Sequence, residues 1–341
     1  MSRTDLENAP GKKRKPIIGI TIGDAAGIGP EVVIKSLSEK NSFENFYPVL
    51  IGDASAIFRT AENLGVKFDA AVVECGGGLS ANVELPTIYD LKNLTEDFAF
   101  GVESEATGRA SAENIEWAVR LWREGKIDAV ATAPISKRAI GLAGYDYPGH
   151  TEFFAQLTGT KDFAMSFFAG RLRVVLLSTH VSLKQAIERV TTENLVRLIK
   201  FSAAELGRLL KRDVRLAVAG LNPHASEGGM FGDEERREII PAVELCRERF
   251  GLDVSGPFSP DTIFLRASGG EFDGVIACYH DQATIAVKCL SFGASVNVTL
   301  GLPLIRTSVD HGTAFDIAGR GTADASSMRA AVELAAELAS N

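Results

Sequence analysis

The chain has 341 residues, 45% of them hydrophobic and 23% charged, enough length and apolar content for two packed cores. Its 36 basic residues against 44 acidic ones leave a net charge of -8, which argues against a nucleic-acid binder and gives no attraction to anionic membranes. No apolar run reaches the roughly 18 residues of a membrane span, and residues 1–15 lack the hydrophobic core of a signal peptide, so a cytoplasmic protein is expected.

Residues 1–15, with the basic run Lys12-Lys13-Arg14-Lys15, read as a flexible tail. Residues 16–22 are β-branched and apolar and end at Gly23, and Pro30 opens an apolar-periodic run to Leu37: strand, loop, helix. The alternation repeats. Residues 47–51 form a strand before Gly52-Asp53 and a helix through Leu64; residues 110–124 form a helix and 127–131 a strand. Residues 172–177, 214–219 and 274–278 read as strands, and residues 193–210 and 234–250 as helices. Gly76-Gly77-Gly78 marks a turn in a segment, about 69–95, that reads as peripheral. Alternating strands and helices predict an α/β chain with a largely parallel sheet covered on both faces. In such folds ligands bind in the loops after the strands, where Thr179-His180, Asn222-Pro223-His224 and Tyr279-His280 fall.

Cys75, Cys246, Cys278 and Cys289 form no CxxC pair and read as small buried side chains of a chain in a reducing compartment. Of five histidines, His150, His180, His224 and His280 lie in loops among small or polar residues. Taken singly each is an ordinary structural residue, and their spacing fits no local zinc pattern. Lys288 lies among Ile285, Val287 and Leu290, and Arg306 follows Leu302-Pro303-Leu304-Ile305; charges in such company are expected to meet a partner. Thr151 has an alternative role as the N-cap of a helix at 152–157. Gly23, Gly27 and Gly29 do not space as GxGxxG; the loop at 27–31 either holds an anion on free N–H groups or is a plain strand-to-helix turn. Glu227 and Glu234 read as solvated or helix-start carboxylates.

The run Cys278-Tyr279-His280-Asp281-Gln282, read with Gly149-His150-Thr151-Glu152, Thr179-His180, Asn222-Pro223-His224 and the run from Asp310-His311-Gly312-Thr313-Ala314 to Gly319, resembles the 4-hydroxythreonine-4-phosphate dehydrogenase family. These are NAD-dependent oxidative decarboxylases of vitamin B6 synthesis, and the resemblance runs from about residue 16 to the C-terminus. A departure is Ala25, where family members commonly have proline.

The resemblance implies two α/β/α domains with a cleft between them, of the kind in isocitrate and isopropylmalate dehydrogenases. The chain is expected to cross near Pro134 and return near Gln282, giving one domain of 16–134 plus 283–341 and another of 135–282. It implies His180, His224 and His280 as ligands of a divalent metal, zinc first, with cobalt, nickel or magnesium as alternatives. His150, Thr151, Lys288, Asn297 and Arg306 are implied to bind substrate. His311, Gly312, Thr313, Ala314 and Asp316 are implied to border the adenosine of NAD, with NADP as the alternative. Lys288 or Asp281 is the candidate for proton transfer. A homodimer is implied, its active site at the subunit interface and one metal histidine, His280 the candidate, coming from the neighbouring subunit. The activity implied is oxidation and decarboxylation of 4-phosphooxy-L-threonine to 3-amino-2-oxopropyl phosphate. Alternatives are a paralogue acting on D-threonate or D-erythronate 4-phosphate, one oxidising an aromatic cis-dihydrodiol carboxylate, and, remotely, a non-catalytic metal-dependent binding protein.

Overall fold

The structure is a computed structural model and describes residues 14–38, 43–79, 85–94, 98–291 and 294–341. The chain divides into two compact units, one running to Lys161 and resuming at Leu302–Ser340, the other Asp162–Gly301. The first unit contains β1 (Ile17–Thr21), α1 (Gly29–Ser38), β2 (Tyr47–Gly52), α2 (Ala54–Asn63), β3 (Ala71–Glu74), β4 (Thr87–Asp90), α3 (Glu105–Arg123), β5 (Ala129–Thr132), α4 (Lys137–Leu142) and α5 (His150–Thr158). The second contains β6 (Ala164–Ala169), β7 (Leu172–Leu176), α6 (Leu183–Glu188), α7 (Thr192–Leu210), β8 (Leu216–Ala219), α8 (Ile240–Phe250), β9 (Val254–Phe258), α9 (Pro260–Ser268), β10 (Gly274–Ala277), α10 (His280–Ser291) and β11 (Val296–Leu300). β12 (Ile305–Ser308) and α11 (Ser326–Ser340) belong to the first.

In the first unit the strands run in the order β3-β4-β2-β1-β5-β12, all parallel. Every residue of β1 is buried, which is why its sequence IIGIT shows no polar alternation: a central parallel strand is covered on both faces. Ile18 and Ile20 pack with Val32 and Ile34 of α1 and Val332 of α11, whereas Ile17 packs with Ile115 and Val119 of α3. Each such side chain contributes roughly 1.5–3 kcal/mol by leaving water. β1 leads through α1 to β2 on one side, whereas β4 leads through α3 to β5 on the other, so the connections part between β1 and β5. That opens the crevice at the carboxyl ends of β1 and β5 in which α/β sheets bind ligands.

The crevice is lined by a tight turn. Gly23 has φ +70°, and a Cβ there would stand 2.2 Å from the Pro134 carbonyl, so only glycine fits. Asp24 donates its N–H to the same carbonyl at 2.9 Å and accepts from Ala26 N–H at 3.0 Å. Its side chain is 0% exposed, and burial pushes its carboxyl pKa up to about 6 against the opposing hydrogen bonds from Ala26 and Thr107. A carboxyl whose folded pKa lies above its unfolded value of 3.8 favours folding least when ionised, so stability is lost as pH rises from about 4 through 6. Asp24→Asn is therefore expected to gain on the wild type by about 2 kcal/mol between pH 4 and pH 8. Urea unfolding at the two pH values measures this; a difference that does not change with pH contradicts it.

In the second unit the order is β11-β6-β7-β10-β8-β9. β7, β10, β8 and β9 are parallel, and β6 pairs antiparallel with both β7 and β11. The largely parallel α/β architecture is the one predicted, with two antiparallel pairings added.

The crossings differ from the expected ones, falling after Lys161 and before Leu302 rather than near Pro134 and Gln282. α4 and α5 stay with the first unit because Ile140, Phe153 and Phe154 bury against Ile115 and Leu302. α10 stays with the second because Ala283 and Val287 bury against Phe167 and Val174. The segment read as peripheral contributes β4, which is buried throughout and lies between β2 and β3; Asp90 at its end accepts the N–H of Ala54 at 3.0 Å and of Lys92 at 3.1 Å. Cys246 and Cys278 are buried as expected, but Cys75 and Cys289 are exposed. Of the expected tail, residues 1–13 lie outside the described residues, and Arg14 pairs with Asp128. No helix among the described residues is long and apolar enough to cross a membrane.

Candidate active site

Thr179-His180, Tyr279-His280 and Asn222-Pro223-His224 follow β7, β10 and β8, three adjacent parallel strands, so their loops emerge side by side at one edge of the sheet. Side chains lace them together. Ser178 Oγ donates to the Cys278 carbonyl at 3.0 Å, Cys278 N–H to Gln282 Oε1 at 2.7 Å, and Gln282 Nε2 to the Gly220 carbonyl at 2.7 Å. Glu235, 1% exposed, accepts the N–H groups of Leu221 at 2.8 Å and Asn222 at 2.7 Å and the Asn222 amide at 2.9 Å. Sequence reasoning missed the supporting roles of Gln282 and Glu235, since neither residue type differs in sequence from an ordinary helix-start polar residue. Glu227 and Glu234, expected to be solvated or at a helix start, hold His224 Nδ1 at 2.9 Å and the Asn222 amide at 2.8 Å.

His180 and His280 stand together, ring centroids 5.5 Å apart. Two imidazoles on one tetrahedral ion place their centroids about 5 Å apart, so the spacing fits a shared divalent metal. The pair lines a cleft of about 410 Å³ with Thr179, Gln185, Tyr279 and Asp281. Asp281 Oδ1 lies 2.7 Å from His280 Nδ1, which fixes that ring and leaves Nε2 as the nitrogen that could face an ion. His224 is exposed, with Glu227 on its Nδ1 and Phe231 edge-on at 6.2 Å. Residues 224–227 have φ between 47° and 67°, a left-handed turn that L-residues adopt only at a cost. Among the described residues no three His, Cys, Asp or Glu side chains gather to hold an ion. One chain thus assembles two of the three expected ligands. His280, expected as the ring donated by a neighbouring subunit, lies beside His180 of its own chain.

In the first unit, His150 and Thr151 open α5 as its first two residues behind Gly149, which makes no side-chain cap. Thr151 is therefore not the N-cap. Arg306, in β12, is 3% exposed; its Nη2 donates to Thr132 Oγ1 at 2.8 Å and its guanidinium lies 5.8 Å from the Phe154 ring centroid. Burial pulls its pKa down to about 9, with the Glu152 charge opposing, so it stays charged at neutral pH. The His150 residue keeps partial contact with solvent, but its Nε2 is buried without a hydrogen-bond partner. Burial first, then the Arg306 charge, holds its pKa well below the usual histidine range, so the ring is neutral. A buried cation beside a neutral imidazole is a place for an anionic ligand. Of the other expected binders, Asn297 is on β11, its Oδ1 buried without a hydrogen bond. Lys288, expected to meet a partner, is exposed in the last turn of α10.

The expected nucleotide loop is also in the first unit. A Cβ on Gly312 would meet nothing within 4 Å, Ala314 has φ 42°, and His311 Nε2 is buried without a hydrogen bond while its Nδ1 lies 3.0 Å from the Gly312 carbonyl. An open glycine beside an unsatisfied ring nitrogen fits an adenosine against the backbone. Asp316 is exposed nearby in sequence. In the loop at 27–31, Gly27 N–H donates to the Asp24 carbonyl at 3.1 Å and Ile28 N–H to the Thr313 carbonyl at 2.9 Å, so these two are taken within the fold.

These features define an α/β protein of two units whose candidate metal-binding histidines follow parallel strands. The profile of the family described as "Pyridoxal phosphate biosynthetic protein PdxA" matches residues 44–335. The chain belongs to that family. It is 44% identical over 326 residues to a 4-hydroxythreonine-4-phosphate dehydrogenase of Geobacter metallireducens, covering 95% of this chain and 96% of the relative. It is 45% identical over 327 residues to a D-threonate 4-phosphate dehydrogenase of Cupriavidus necator, covering 95% and 97%. The crystal structure of 4-hydroxythreonine-4-phosphate dehydrogenase from Klebsiella pneumoniae superimposes with a TM-score of 0.86 at 40% identity, over 95% of this chain and 99% of that one.

Proposed function

We propose that this protein is a cytoplasmic dehydrogenase that oxidises, and then decarboxylates, a four-carbon hydroxy acid phosphorylated at its fourth carbon, with NAD as oxidant and a divalent metal, zinc first. The observation that carries the reading is the His180–His280 pair with Asp281 behind it, on a loop laced to those of Thr179 and Asn222. A bound ion would supply Lewis acidity that eases loss of the substrate's hydroxyl proton, and a bound nicotinamide would supply the hydride acceptor. His180, His280 and His224 would hold the ion, the set being completed in a homodimer. The exposed apolar side chains Leu183, Met230, Phe231 and Ile285 beside these loops support such an interface. Arg306 anchors the anionic end of the substrate as a planar fork, and neutral His150 adds a hydrogen bond without adding charge. Thr151 and Asn297 orient the substrate. Asp281 is committed to the His280 ring.

Two substrates fit this chemistry. One is 4-phosphooxy-L-threonine, giving 3-amino-2-oxopropyl phosphate; the other is D-threonate 4-phosphate, the substrate in the name of the Cupriavidus relative at matching identity. NADH formation with each, by metal-loaded and chelator-treated protein, tests the proposal. Turnover of one of them only when metal is present is the expected result; no NADH from either, with metal and NAD or NADP supplied, overturns the reading.

A further inference from the structure

We propose that Gly27 and Gly101 are positioning residues for the nucleotide, forming a two-sided seat that fixes the backbone of residues 313–315 and so the grip of the loop from His311 to Asp316 on the cofactor. The inference rests on reading that loop as the nucleotide site. A Cβ on Gly27 would stand 2.9 Å from the Thr313 carbonyl oxygen and 3.0 Å from Thr313 Cβ, and one on Gly101 would stand 2.8 Å from the Phe315 carbonyl oxygen. The obstructing atoms are mostly backbone, which cannot swing aside as a flexible side chain would. The two glycines act from separate segments that are themselves joined: Gly101 N–H donates to the Ala26 carbonyl at 2.7 Å, and Ile28 N–H donates to the Thr313 carbonyl at 2.9 Å. Ala25, Ala26 and Phe98 bury together, with Phe100 and Phe315 packed against them, so the seat is rigid behind the glycines. At Gly312 the loop is open, with nothing within 4 Å of a Cβ there. A methyl group on either glycine therefore has to displace the backbone of the loop that borders this space. Gly27 also belongs to the turn after β1, where the sheet's connections part and ligands bind.

The test uses the full chain and NADH alone, followed by its fluorescence. Gly27→Ala is expected to raise the Kd for NADH and the KM for NAD on the order of tenfold, as expected for a displaced ligand contact. The KM for the hydroxy acid and the affinity for added cobalt should stay at the wild-type values. Gly101→Ala tests the second contact if Gly27→Ala does not fold, read against Gly65→Ala, which carries a similar backbone strain (φ +65° against +80°) with nothing within 4 Å of its Cβ. Wild-type Kd in the folded variants, or equal losses toward NADH, hydroxy acid and cobalt, overturns the seat while leaving the nucleotide reading intact. A wild-type chain that binds no NADH overturns the nucleotide reading and the seat with it.

Discussion

Arg306→Ala is expected to lower kcat/KM by about 10²- to 10³-fold, because truncating one partner of a buried charged contact removes about 2–5 kcal/mol. The guanidinium is 3% exposed, held by Thr132 and set over Phe154, so it is pre-organised before any substrate arrives. That makes the loss one of KM more than of kcat. Arg306→Lys keeps the charge but not the planar fork and should recover only part of the loss. His150→Ala should be milder, since the neutral ring offers one hydrogen bond and no charge. Thermal unfolding separates an effect on binding from one on folding, because Arg306 lies within the sheet between residues that pair with β5. Full activity in a folded Arg306→Ala chain would remove the anion anchor from the account.

The second large effect is expected at the paired imidazoles. His180→Ala and His280→Ala should each abolish metal-dependent NADH formation, because each removes one of the two proposed ligands that a single chain brings together. Asp281→Asn keeps both rings but weakens the contact that orients His280, and should cost about 10- to 100-fold in metal affinity, the usual effect of an outer partner. The ordering is the informative part. If Asp281→Asn is as damaging as His280→Ala, the aspartate is acting on substrate rather than on the ring.

Much of this was legible in the sequence. The apolar run of β1, the helix opened by Pro30, and the positions of His180, His224 and His280 after strands all follow from periodicity and punctuation, and the structure places them so. β6 went unread because AMSFFA follows Lys161-Asp162 without a clear period and pairs antiparallel, an arrangement no local signal marks. The crossings were misplaced because Phe153 and Phe154 could belong to either core on sequence grounds, and packing alone assigns them to Ile115 and Leu302. Lys288 read as a charge that meets a partner because its neighbours are apolar, yet a helix turns successive residues by about 100°, and Val287 takes the buried face instead. Gln282 and Glu235 act through hydrogen bonds to backbone 62 and 13 residues away, contacts that residue identity does not announce. The family resemblance supplied the candidate roles. The structure supplied which candidates meet: His180 with His280, and His150 with Arg306.

The most direct measurement is a titration of chelator-treated full-length protein with cobalt, followed by visible absorption. The account predicts saturable binding with the bands of a nitrogen-ligated ion, lost in both His180→Ala and His280→Ala and weakened in Asp281→Asn. Cobalt bands of unchanged intensity and affinity in those two alanine variants, or none in the wild type, would contradict it.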